Sequence, residues 1–170
     1  QRARDQLETA LSRAAPDAIT AALSISAPRP VITPFTLRFT LGEDGAEFDA
    51  CAVDTEEALA AILAAATEAG FEGKSDCRYG LGTPSTRWGD ATSAGIAAIG
   101  QLGSGAITFA DTSVSLVATM GTDEALFDRV SAELENALPD AFSLTAVLPT
   151  PEVDTEDGPA TFVATRSPEG

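Results

Sequence analysis

Few side chains in this sequence could make or break a bond. Cys51 and Cys77 lie 26 residues apart, unlike the Cys-x-x-Cys pair of thiol oxidoreductases. Two cysteines are too few for a four-cysteine metal site. Two buried thiols, a redox pair and a disulfide are the readings open to them. Ser85 and Ser104 offer hydroxyl nucleophiles, yet Lys74 is the one lysine and histidine does not occur at all. Ser/His/Asp and Cys/His catalysis and histidine-based zinc sites are therefore excluded. The adjacent acids Glu56/Glu57 and Asp123/Glu124 could in principle serve glycoside hydrolysis. Both pairs, however, open apolar-periodic stretches, where acids compensate the helix dipole. The acidic run Glu152, Asp154, Glu156 and Asp157 lacks the Gly and Glu of an EF-hand loop and reads as solvated charge. Gly80-Leu81-Gly82 and Gly103-Ser104-Gly105 lack the rest of a phosphate-binding fingerprint and read as turns. Arg87 and Trp88 remain as a candidate interaction patch, a guanidinium beside a flat ring that would suit a sugar or a lipid headgroup. The competing reading makes Trp88 a core anchor. The expectation is a protein that is not an enzyme and uses no cofactor and no metal.

Composition narrows the partners. The 170 residues are 44% hydrophobic and carry a formal charge of −16. The apolar share supports a true core, and no apolar run reaches the length of a membrane span. Such a charge disfavours nucleic acid, whose binding rests on neutralising phosphates, and likewise an anionic membrane surface.

The elements that must position these residues are read from a repeat. Thr55-Glu56-Glu57-Ala58-Leu59 recurs as Thr122-Asp123-Glu124-Ala125-Leu126, 67 residues later. Each Thr is placed as a helix N-cap. Leu59, Ile62, Leu63, Ala66 and Ala69 form one apolar stripe, and Leu126, Val130, Leu134, Ala137 and Leu138 form another. Alternating strand-like runs precede each helix, at 35–41 with 46–53 and at 106–110 with 113–119, and follow it, at 75–81 and 142–148. Gly42-Glu43-Asp44-Gly45 suits a hairpin. A third helical pattern, Trp88, Ala91, Gly95, Ile99 and Leu102, links the units, with Ser85 as N-cap and Gly103 as stop. The prediction is an α/β (α+β) domain in which helices near 55–69, 86–102 and 122–138 cover one face of a six-stranded mixed sheet.

A longer repeat runs through the ends. Residues 5–28 match 128–151, with Pro16-Asp17-Ala18 falling on Pro139-Asp140-Ala141, and 160–170 match 35–45. The expected organisation is a partial preceding repeat at 1–28 (helix, then strand), two ββαβ units at 31–82 and 86–149, an acidic linker at 150–159, and the start of a next repeat at 160–170. Orphan strands at 19–25 and 160–166 are expected to dock on a sheet edge, on each other or on a second copy, giving a homodimer.

A ββαβ unit preceded by a helix and found in tandem resembles the BON domain of bacterial envelope proteins. Leu81-Gly82-Thr83-Pro84-Ser85 followed by Trp88, Leu102-Gly103-Ser104-Gly105, and Leu138-Pro139-Asp140-Ala141-Phe142-Ser143-Leu144 look like the periplasmic repeat region of OmpA-family proteins from alphaproteobacteria. The likeness spans most of 31–149 and departs from the BON pattern where a Gly is common near the end of the second strand; Cys51 and Ala118 stand there. It implies a non-catalytic interaction or spacer module in the periplasm or outer membrane of a Gram-negative bacterium. The alternative is a phospholipid-binding module. Partners would be an envelope protein or lipid, with peptidoglycan gripped only by a domain outside this fragment. Aligning the two units sets Cys51 opposite Ala118 and Cys77 opposite Leu144, both in phase with core positions. If the second and third strands are neighbours, the cysteines come within bonding range, and an oxidising envelope would keep a disulfide. Two reduced, buried thiols are the competing outcome.

Overall fold

The computed structural model describes residues 29–150, so the segments 1–28 and 160–170, and nearly all of the acidic linker, lie outside the described residues. Within 29–150 the elements run β1 (Thr36–Gly42), β2 (Gly45–Val53), α1 (Glu56–Glu68), β3 (Arg78–Tyr79), α2 (Trp88–Leu102), β4 (Gly105–Ala110), β5 (Ser113–Ala118), α3 (Glu124–Ala137) and β6 (Ser143–Val147). All six strands join one sheet in the order β3-β2-β1-β4-β5-β6. The hairpins β1–β2 and β4–β5 and the central pair β1–β4 are antiparallel. The crossovers through α1 and α3 make β2–β3 and β5–β6 parallel. The expected six-stranded mixed sheet with three helices is thus the observed α+β fold.

Period-two text divides the sheet into two faces. Leu37, Phe39, Ile107, Phe109, Val114 and Leu116 are buried, while Arg38, Thr108 and Ser115, which alternate with them, sit on the opposite face. Ile62 and Ala66 of α1, Trp88, Ile96 and Ile99 of α2, and Phe127, Val130 and Leu134 of α3 complete the core. Central α2 packs between α1 and α3 and over β1, β4 and β5, so the linking helix holds the two halves together.

The helix ends differ from expectation at two caps. Thr55 caps α1 as expected, its hydroxyl accepting from the Ala58 N–H at 3.1 Å. At α3 the cap is Asp123 rather than Thr122: its carboxylate accepts from the Leu126 N–H at 2.9 Å, whereas the Thr122 hydroxyl donates to the Thr119 carbonyl at 2.8 Å. A charged acceptor at the positive helix end outcompetes a hydroxyl. Ser85 closes a turn ahead of α2, its Oγ accepting from the Arg87 N–H at 3.1 Å, and Arg87 stands at the N-cap position. Gly103 stops α2 as expected, at φ 77°. The strand expected over 75–81 contributes only Arg78–Tyr79 to the ladder, plus one bridge from Leu81 to Val31.

Gly95 lies where α2 crosses β4. A Cβ built there would meet the Phe109 ring at 2.6 Å and Ile107 at 3.0 Å. Both neighbours are fully buried and cannot yield cheaply. Alanine is the better helix former by about 1 kcal/mol, but overpacking costs about 1–3 kcal/mol. Gly95→Ala is therefore expected to lower the urea midpoint. A raised midpoint would show that the α2–β4 approach is looser than described.

Candidate functional site

Stepping back one residue on each strand from the parallel pairs Ala52↔Arg78 and Val53↔Tyr79 reaches Cys51 and Cys77. The two are bonded as a disulfide, with Cα atoms 4.5 Å apart, inside the range a bridge allows. Both are partly buried and pack against the core. Of the readings open to the cysteines, the disulfide is the one realised. It continues the β2–β3 register where β3 itself is only two residues long.

Arg87 and Trp88 do not form a surface patch. Trp88 is wholly buried. Its indole N–H donates to the Ala52 carbonyl at 2.9 Å, and its ring meets Phe35 edge-on at 5.0 Å and Phe109 at 5.8 Å. Adjacent residues on a helix point about 100° apart, so burying the indole sends Arg87 to solvent, where it pairs with Asp90 at 3.2 Å. Trp88 is the core anchor.

The acids and hydroxyls singled out as candidate catalysts are placed by local structure. Glu56 and Glu57 lie in the first turn of α1, and Glu124 in that of α3 behind its cap Asp123. Ser85 serves the turn before α2. Lys74 lies beside Phe71, Glu72 and Ser75 on a shallow surface groove whose lining includes neither Ser85 nor Ser104. Among the described residues no three His, Cys, Asp or Glu side chains converge as a metal site would require, and no helix is long and apolar enough to cross a membrane.

Two surfaces remain that sequence reading did not single out. On the sheet face opposite the helices, a bulge in β2 leaves Asp49 without a register partner between Arg38↔Ala50 and Phe39↔Phe48. That re-aims its carboxylate, which accepts from Arg38 Nε at 2.9 Å and from the Thr40 hydroxyl at 3.0 Å. Both charges of the pair are about half exposed, so it orients side chains more than it stabilises them. A concavity lined by Thr36, Ala50 and Arg78 adjoins it. The second surface is the outer edge of β6 with the groove beside α3, where Phe127, Ser131, Leu144 and Ala146 meet. Bulges and open edges depend on pairing register, which a single sequence does not display. No protein-family model, curated protein or solved structure matches the chain.

Proposed function

We propose that this chain is a non-catalytic interaction and spacer module of the bacterial cell envelope, part of a larger OmpA-family protein built from BON-like units and placed in the periplasm or at the outer membrane. The Cys51–Cys77 disulfide carries the reading, because such bonds persist in oxidising compartments and are reduced in most cytosols. The two ββαβ halves around α2 accord with the resemblance. Large exposed apolar side chains among the described residues are Val31, Leu81, Met120 and Val147. Only Val31 and Leu81 pair with each other, which leaves little for a bilayer to grip, and the net charge of −16 opposes anionic lipid.

Two measurements test the reading. Protein isolated from its own cells and unfolded without reductant is expected to show no titratable thiol; two would remove the envelope address. In a density gradient it is expected to stay at the bottom with both anionic and neutral liposomes. Flotation with either would transfer the function to lipid binding.

A further inference from the structure

The two outer strands of the sheet are treated differently. At the β3 edge the ladder is two residues long and tied by the disulfide. The segment before β1 then covers it: Leu81 N–H donates to the Pro30 carbonyl at 2.8 Å and Ile32 N–H to the Leu81 carbonyl at 2.9 Å. At the other edge, β6 reads Ser143-Leu144-Thr145-Ala146-Val147, with no charge, proline or bulge. These are the devices by which edges are usually protected from pairing. Among the described residues no strand lies beyond it.

The β6 backbone groups that face outward can be named. Ser143 N–H donates to the Thr112 carbonyl on the β5 side at 2.9 Å. Alternation along a parallel ladder then aims the N–H and C=O of Leu144 and Ala146 away from β5, at the open edge. Side chains of the same two residues line the groove under α3, whose floor also includes Phe127 and the Ser131 hydroxyl. The Ser131 oxygen is buried and has no hydrogen-bond partner. Asp128 and Glu135 stand on the groove's rim.

We infer that the β6 edge binds an extended segment of a partner protein by strand addition. The segment would have apolar residues at alternate positions facing α3 and a Lys or Arg at each end facing Asp128 and Glu135. Charge complementarity selects this occupant over a second copy of the chain. A two-fold β6–β6 pairing would set Asp128 and Glu135 of one copy against the same acids of the other, and like charges across a seam oppose association. The inference rests on the interaction reading above only in that the partner is a protein; it does not depend on the compartment.

The probe is the heptapeptide acetyl-Lys-Thr-Val-Thr-Val-Thr-Lys-amide, titrated into isotope-labelled, oxidised 170-residue chain at about 10 mM salt, where charges act over about 30 Å. Saturable shifts are expected at the Leu144 and Ala146 amides, with slower hydrogen exchange there. Ala146→Pro removes one outward N–H and spares the bonds to β5; it is expected to weaken binding about tenfold, equivalent to about 1.4 kcal/mol. The Glu-flanked version of the peptide should bind about tenfold more weakly. Asp128→Lys with Glu135→Lys, both exposed positions, should reverse that preference even if the proline variant misfolds. Absence of binding, indifference to both sets of substitutions, or Leu144 and Ala146 amides already protected without peptide would overturn the inference. Should the peptide fail while thiols are absent and liposomes are not bound, the envelope module stands and its partner surface lies elsewhere. Should it bind while two thiols titrate, the edge stands and the address falls.

Discussion

Trp88→Ala is expected to remove about 3–5 kcal/mol of stability, a large part of the roughly 5–15 kcal/mol that holds a domain together. The reason is position as much as size. Trp88 opens α2, and its ring touches Phe35 before β1, Phe109 on β4 and Phe142 before β6, so one side chain bonds both halves of the sheet. Truncation would leave a cavity walled by three aromatic rings and strand the Ala52 carbonyl, which now accepts the indole N–H. Trp88→Phe separates the two losses. It keeps most of the apolar volume and orphans only the carbonyl, a cost of about 1–3 kcal/mol. Urea unfolding followed by far-UV circular dichroism measures both, since the variants lack the chain's one Trp. An alanine variant with an unchanged midpoint would mean that α2 is not the keystone between the halves.

Removing the disulfide by Cys51→Ala with Cys77→Ala is expected to cost about 3–4 kcal/mol on the loop-entropy model, given a sequence separation of 26 residues. The closed loop contains all of α1. Loss should therefore be uneven. Amides of α1 and β3 should exchange faster than those of β4 and β5, because a two-residue ladder cannot by itself keep the α1 crossover docked. Native-state hydrogen exchange reads this directly. Uniform acceleration across both halves would show instead that the bridge acts only through the unfolded chain.

Helices and strands were legible wherever period and caps agreed. The stripe from Leu59 to Ala69 behind Thr55, and the stop at Gly103, are local signals that tertiary contacts had no cause to overrule. Cap identity was less legible where two good acceptors stand side by side: Thr122 and Asp123 both suit the position, and geometry chose the carboxylate. The pairing of the two units was not legible. No local rule states that β1 should set its free edge against β4, and that choice places both hairpins back to back at the sheet's centre. Cys51 and Cys77 could be matched because the repeat placed both in phase with core positions. Trp88 was ambiguous, since exposed and buried Trp look alike in text, and only the surrounding ring of Phe35, Phe109 and Phe142 decides between them. The β6 edge is not legible in the sequence, because an edge is defined by what does not pair with it.

The β1–β4 seam also bears on how the chain reaches its native state. Leu37 pairs with Phe109 and Thr36 with Ala110, partners about 70 residues apart, a separation that slows folding because loop closure must precede the contact. On a ribosome the first hairpin, α1 and β3 emerge before β4 does. During that interval β1 is an edge strand carrying Leu37 and Phe39, with one row of hydrogen-bonding groups unmet. The nascent first half is thus the aggregation-prone species of this fold, and its exposure ends only when β4 leaves the exit tunnel and closes the seam.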